Sequence, residues 1–220
     1  MIPREYKSIY PELIFNQYKS KLCVACSISL IRHIQLFYKH GINVIPDPLF
    51  IFCIGDNDLY QEKGMIVSKT LSDIKQYGIP EINDNPNDYL KKYSDYQYND
   101  LKHIVCSNKN ILDRDKIKDY CQLYTVNDIK EAIMKYHAIT ITIKSHESII
   151  KPDITENKAV INYYKYDTYP TDNYHQLTII GWDNNYWIIQ NSMGKEYGKN
   201  GIAYLPIDFP LYESWCIIDD

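Results

Sequence analysis

Long apolar runs are missing from this 220-residue chain. No segment approaches the roughly 20 apolar residues that a membrane-crossing helix requires, so no membrane partner is expected. The opening stretch MIPREYKSIYPELIF is polar and carries Pro3 and Pro11. It has neither the apolar core nor the small-residue cleavage site of a secretory signal. A clustered basic stripe is also missing, and the net charge is −4, so nucleic acid and anionic membranes are not expected as partners. Internal repeats and low-complexity linkers are absent. Without a secretory signal, the six cysteines (Cys23, Cys26, Cys53, Cys106, Cys121 and Cys216) are expected to be reduced. The expected location is cytoplasmic or otherwise intracellular.

What is present is an ordinary globular composition, 45% hydrophobic and 24% charged, enough for one large domain or two lobes. The 22 tyrosines, beside many Ile, Lys and Asn, read as AT-rich coding bias rather than a recognition surface. Residues 1–20 read as an extended arm. From Leu22 to about Lys39 apolar residues recur at helical spacing, and Gly41 follows as a stop. A second helix is predicted from about Ile66 to Tyr77, ended by Gly78 and Pro80. The Asn-, Asp- and Tyr-rich stretch 82–100 reads as a surface loop. Val126 to Tyr136 reads as a helix capped by Thr125 or Asn127, feeding the strand Ala138 to Ile143. Residues 151–172 read as a polar connection. Strands are predicted at Leu177–Ile180, Trp187–Ile189, Ile202–Leu205 and Trp215–Ile218. A helical first half followed by a β-rich second half is an α+β layout in two lobes.

The chemistry centres on His175 and Asn191, sixteen residues apart around the Asp183-Asn184-Asn185 break. Two apolar runs on either side of an Asx-rich break predict an antiparallel hairpin. A hairpin centred on Asp183 would put His175 and Asn191 on facing positions, with Cβ atoms roughly 4.5–5.5 Å apart. Such a pairing suits a carboxamide that orients an imidazole. Cys23 opens the long helix, where unpaired N–H groups and the positive end of the dipole favour a thiolate. Gln17 precedes it by six residues, and its side-chain amide could join the Cys23 N–H as an oxyanion donor. A thiol, an imidazole and an orienting Asn make a Cys–His–Asn acyl-transfer site.

On these residues the chain resembles the papain-like cysteine peptidases, family C1. Asn16-Gln17 followed by Cys23 is similar to the family's oxyanion glutamine and nucleophile. Tyr174-His175, an apolar strand and Gly181 resemble its histidine strand. Asn191-Ser192-Met193-Gly194 with Tyr197-Gly198-Lys199-Asn200-Gly201 resembles the Asn-Ser-Trp-Gly signature and its continuation. Gly64 before the helix ending at Tyr77-Gly78 resembles the substrate-cleft glycine. The resemblance covers about residues 11–218 and looks closest to propeptide-less, bacterial-type members. It implies a two-lobed fold with a helical lobe (about 20–115), a β-barrel-like lobe (about 120–220) and an N-terminal arm (1–19), with the active site between the lobes. It further implies hydrolysis of a peptide or protein substrate by a monomer, with Cys23, His175, Asn191 and Gln17 as catalytic residues. No metal or organic cofactor is implied. Because Ile2-Pro3 resembles a mature start, control is expected to come from location, partner or redox state rather than from an inhibitory prodomain.

Several positions depart from the family pattern. Lys21-Leu22 replaces Gly-Ser before the nucleophile, and Val24 replaces a Trp. Met193 replaces the Trp that covers the His–Asn hydrogen bond, a task that a flexible apolar side chain does less rigidly. Met65 replaces a second cleft glycine. Gly64, Met65, Tyr174 and Gln176 are the candidate substrate-binding residues, although Tyr174 and Gln176 fit a plain strand-edge role as well. Cys23 alone would read as a small buried thiol; the matched Gln17, His175 and Asn191 favour catalysis. Cys23-Val24-Ala25-Cys26 is a C-x-x-C, but no second pair supplies the four ligands of a structural zinc site. Cys26 therefore reads as core-facing, with a silencing Cys23–Cys26 disulfide as the minor alternative. His33 reads as a satisfied core histidine, and His40, His103, His137 and His146 as surface or loop residues. Two rival functions use the same residues: a catalytically inactive binding scaffold, and a transferase or deamidase acting on another acyl group.

Overall fold

The computed structural model describes residues 2–54, 64–96, 98–107, 115–155, 157–162 and 173–219, with residues 98 and 99 described by their backbone. Part of the predicted 151–172 connection, residues 163–172, lies outside the described residues.

Helix α1 spans Cys23–His40, and 13 of its 18 residues are buried. Gly41 ends it in the left-handed conformation, its N–H donating to the Phe37 carbonyl at 2.8 Å. Helix α2, Pro48–Cys53, follows an Asp47 cap whose carboxylate accepts from the N–H groups of Leu49 and Phe50. Helix α3 runs Val67–Tyr77. The stretch 82–100, predicted to be a surface loop, instead holds α4, Pro86–Tyr93, and the start of α5, Tyr98–Ser107. The reason is local: Asn85 caps Asn87 and Asp88, Pro86 takes the first helical position, and Leu90 is buried. These helices and the arm enclose a first core built on Val24, Ile28, Ile31, Phe50, Leu71 and Leu90.

The β strands are β1 (Glu5–Lys7), β2 (Ile45–Pro46), β3 (Glu81–Ile82), β4 (Asp119–Gln122), β5 (Ile139–Lys144), β6 (Asp153–Ile154), β7 (Ala159–Val160), β8 (Tyr174–Asp183), β9 (Tyr186–Gln190), β10 (Ile202–Pro206) and β11 (Glu213–Ile218). Between β4 and β5 lies helix α6, Val126–Tyr136, which opens on a Thr125–Asp128 capping box. The four-residue helix α7, Glu147–Ile150, follows β5. Apart from the β2–β3 pair, the strands form one sheet in the order β4-β11-β5-β8-β9-β10-β7-β6. Its inner face and α6 bury a second core containing Ile133, Ile141, Leu177, Trp182, Trp187 and Leu205. Two cores, one helical and one sheet-based, match the expected two-lobe, α+β organisation.

The β8–β9 hairpin corrects the expected centring on Asp183. The two-residue turn is Asn184-Asn185, with Asp183 paired to Tyr186. The register shifts by one between Ile179 and Gly181, leaving Ile180 as a bulge. In the register that pairs Thr178 with Gln190, Asn191 falls opposite Leu177, so His175 is its diagonal rather than its facing neighbour. At Gly181 the β1 strand crosses so closely that any Cβ would collide with the Tyr6 carbonyl oxygen. Glycine there lets the N-terminal arm pair with β8 beyond the end of β5.

Candidate active site

Cys23, the first residue of α1, is half-buried. As the helix opens without a side-chain cap, its first N–H groups have no intrahelical acceptor. The His175 imidazole is the neighbour that draws the thiol toward its thiolate form, by hydrogen bonding and charge. His175 stands near the start of β8, paired with Ile143 of β5, and is 8% exposed. Its Nε2 lies 2.8 Å from Asn191 Oδ1, which leaves Nδ1 for the sulfur. The Asn191 oxygen also accepts from the Ser192 N–H at 2.8 Å. The diagonal geometry therefore still unites the two residues, because diagonal strand positions, about 7–8 Å apart, remain within reach of longer side chains.

Burial pushes the Cys23 thiol up, but the hydrogen bond and charge of His175, with N–H groups of Gln176 and Val24, outweigh it and the net shift is down from 9.0. Burial likewise pushes His175 down, while the Cys23 hydrogen bond and charge and the Asn191 hydrogen bond reverse this and hold it above 6.5. Each group is displaced toward its charged form by the other, which favours a thiolate–imidazolium pair.

Gln17 sits in a turn that hooks onto the end of β9. Its N–H donates to the Ser192 carbonyl at 2.8 Å, and its Oε1 accepts from the Ser192 hydroxyl at 2.5 Å. Its Nε2 donates to the Ser20 carbonyl at 3.0 Å, which uses one of two amide hydrogens. The turn is further tied by Asn87, which accepts from the Asn16 N–H at 2.7 Å and donates to the Ile14 carbonyl at 2.9 Å. The Gly194 N–H donates to the Phe15 carbonyl at 2.9 Å. Ser192, Ser20 and Asn87 escaped the sequence reading. Ser192 had a usable signal in the Asn-Ser pair; Asn87 had none, being 71 residues from its partner Asn16.

The candidate substrate residues fare unevenly. Gln176 is 2% exposed, its amide held by the hydroxyls of Thr140 and Thr142 at 2.5 and 2.6 Å. It lines a small cavity together with Cys23 and Asn191, with its carboxamide fixed by those two hydroxyls. Tyr174 is exposed and packs against Tyr212 with ring centroids 4.4 Å apart. Gly64 adopts φ +79° and Met65 packs onto the helical core. Met193 is half-buried against the sheet core, and Asn191 is 3% exposed.

Cys26, one turn along α1, is 1% exposed in the helical core, and burial raises its thiol well above 9.0. His33 is buried, its Nδ1 and Nε2 lying 2.6 and 3.1 Å from the carbonyls of Val44 and Pro11. Two of the histidines expected on the surface or in loops lie in loops but are not on the surface. His146 is 3% exposed because it caps α7, its Nδ1 accepting from the Ser148 N–H. His137 is half-buried, ends α6 in the left-handed conformation and stacks on Tyr38 at 3.5 Å. No group of three or more potential metal ligands occurs among the described residues.

A helix-start thiol facing a strand-borne imidazole, in a two-lobed α+β fold, is the arrangement of a papain-like cysteine peptidase. A model described as papain family cysteine protease matches residues 75–209, and the chain belongs to that family. The matched stretch includes His175 and Asn191; Cys23 and Gln17 precede it. Among relatives, Peptidase 1 of Dermatophagoides pteronyssinus is 33% identical over 104 residues, covering 43% of this chain and 31% of that protein. Peptidase 1 of Euroglyphus maynei is 29% identical over 104 residues, covering 43% and 30%. The chain thus matches about a third of the length of these relatives. Xylellain, a cysteine protease from Xylella fastidiosa, has a TM-score of 0.76 at 16% identity, covering 100% of this chain and 87% of that one. Digestive procathepsin L 3 of Tenebrio molitor larval midgut has a TM-score of 0.71 at 14% identity, covering 99% and 70%. Both show the same fold.

Proposed function

We propose that the chain hydrolyses peptide bonds with Cys23 as nucleophile, His175 as acid–base, Asn191 as its orienting partner and Gln17 as oxyanion donor. The observation that carries this is the 2.8 Å His175–Asn191 hydrogen bond beside the helix-start thiol, with Cys23 drawn down and His175 up by each other. The Cys23 thiolate attacks the peptide carbonyl carbon, forming the S–C bond while the carbonyl electron pair moves to oxygen. The free hydrogen of Gln17 Nε2 and the Cys23 N–H offer that oxyanion two donors. Collapse of the intermediate breaks the C–N bond, and His175 Nδ1 gives its proton to the departing amine. Water then attacks the thioester, losing a proton to Nδ1; the C–S bond breaks and the thiolate returns. Asn191 accepts from Nε2–H throughout, fixing the tautomer and the ring orientation.

The test is alkylation by an epoxide inhibitor of thiol proteases, with hydrolysis of an unstructured protein as a second readout. Mass spectrometry should find the adduct on Cys23, and Cys23→Ala should lose both adduct and hydrolysis. Absence of labelling at neutral pH in reducing buffer would overturn the assignment.

A further inference from the structure

Cys121 of β4 and Cys216 of β11 face each other at the edge of the large sheet, apart from the site described above. They are directly opposed in the antiparallel ladder, between the pairs Tyr120↔Ile217 and Gln122↔Trp215. Opposed positions carry their side chains on one face, with Cα atoms about 4.5–5.5 Å apart. That separation lies inside the range a disulfide spans. The two sulfurs are 3.4 Å apart and hydrogen-bonded as thiols. Their surroundings differ. Cys121 is exposed on the strand that ends the sheet, whereas Cys216 is 1% exposed in the sheet core. Burial, reinforced by the hydrogen bond and charge of Cys121, pushes the Cys216 thiol up to about 12. A reagent from solution therefore meets Cys121 first, with Cys216 behind it.

The two strands also share an anchor in the helical lobe. The guanidinium of the fully buried Arg32 on α1 pairs with Asp115, four residues before β4, and with Asp219, directly after β11, at 2.9 Å. A bond between β4 and β11 would fix both carriers of those carboxylates. β4, at the end of the sheet order, is held by β11 alone.

We propose that Cys121 and Cys216 form a thiol modification site that reacts with small-molecule disulfides such as oxidised glutathione and closes into a cross-strand disulfide stapling the sheet edge. The Cys121 thiolate attacks one sulfur of the small disulfide. Its S–S bond breaks, and the first small thiolate leaves and takes up the proton that Cys121 lost. Capping Cys121 removes the charge that opposes ionisation of Cys216. Cys216 then gives up its proton and attacks the Cys121 sulfur, expelling the second small thiolate, which accepts that proton. The protein pair is oxidised by two electrons, and the small disulfide is reduced to two thiols. The link joins residues 95 apart in the chain, and a cross-link over that distance restricts the unfolded state strongly. The inference does not depend on the role given to Cys23.

The experiment treats wild type and Cys23→Ala with an excess of oxidised glutathione, the second so that the reactive thiol at Cys23 does not compete. Peptide mapping without reductant should find the Cys121 and Cys216 peptides joined, two hydrogens lighter than their sum. The melting temperature should rise by about 5–10 °C and return on adding dithiothreitol. Cys121→Ser, at an exposed position, should lose both the link and the rise. Cys216→Val keeps the buried position apolar and should leave Cys121 carrying glutathione as a stable mixed disulfide. Glutathione on Cys121 beside a free Cys216 in the wild type would overturn the closure. A joined pair with an unchanged or lowered melting temperature would overturn the staple, and two thiols that both stay free would overturn the site itself. None of these outcomes bears on peptide hydrolysis, because each is read in Cys23→Ala as well.

Discussion

The two sides of the site are held by different means. His175 sits within a ten-residue strand paired with β5 over six successive positions, from Tyr174↔Lys144 to Ile179↔Ile139. Gln17 belongs to no strand; its turn is held by three backbone bonds, from the Gln17 N–H to Ser192, the Ser20 N–H to Gln17 and the Gly194 N–H to Phe15, and by side-chain contacts of Gln17, Ser20, Ser192 and Asn87. Cys23 stands between these extremes, anchored by a helix buried nearly all round. A ladder distributes the task of placement over many backbone bonds, so losing one side chain leaves the frame intact. In the arm backbone bonds are few, and side chains make up much of the frame. Variants on the sheet side should therefore alter chemistry without moving structure, whereas arm variants should alter both.

The largest separation of the two sides is expected from Gln17→Ala. Removing an oxyanion donor costs about 10²–10³ in kcat. The turn also loses the Gln17 side-chain bonds to the Ser20 carbonyl and the Ser192 hydroxyl, so greater protease sensitivity around residues 14–20 should accompany the loss. Steady-state kinetics with limited proteolysis checks both; a kcat loss under tenfold would remove Gln17 from the oxyanion role.

On the sheet side, Asn191→Ala should cost less and leave the melting temperature within a few degrees. A hydrogen bond to a charged group is worth about 2 kcal/mol, roughly 30-fold in kcat. The pH profile gives the sign. Activity should rise with pH as Cys23 ionises, at a value lowered from 9.0, and fall as His175 loses its proton, at a value raised above 6.5. Because the Asn191 hydrogen bond raises His175, its removal should move the alkaline limb to lower pH. An unshifted limb would detach Asn191 from the imidazole.

The same division governs what could be read from the chain. Helix α1 and strands β8 and β9 are legible because their apolar spacing is regular, and Cys23, His175 and Asn191 lie on them or at their ends. The Ile180 bulge was not, since counting residues around a turn cannot reveal one that opposes nothing. Composition misled at 82–100, where Asn, Asp and Tyr suggested a loop, although Asn85-Pro86 is a capped helix start. Gln176 looked like a strand-edge residue near the catalytic position, but its fate was decided by Thr140 and Thr142, 36 and 34 residues away.

Ser192→Ala probes the seam where the two sides meet, and its effect should be the smallest. The Ser192 hydroxyl donates to Gln17 Oε1, while its backbone serves Asn191 Oδ1 and the Gln17 N–H without the side chain. Losing one neutral hydrogen bond of about 1 kcal/mol should lower kcat about fivefold. The pH limbs should stay in place, because neither the thiol nor the imidazole loses a partner. That pattern, a reduced rate with unshifted limbs, is the opposite of the one expected for Asn191→Ala. A shifted alkaline limb in Ser192→Ala would mean that the arm and the His175–Asn191 pair are positioned as one unit, and the contrast between the two sides would fail.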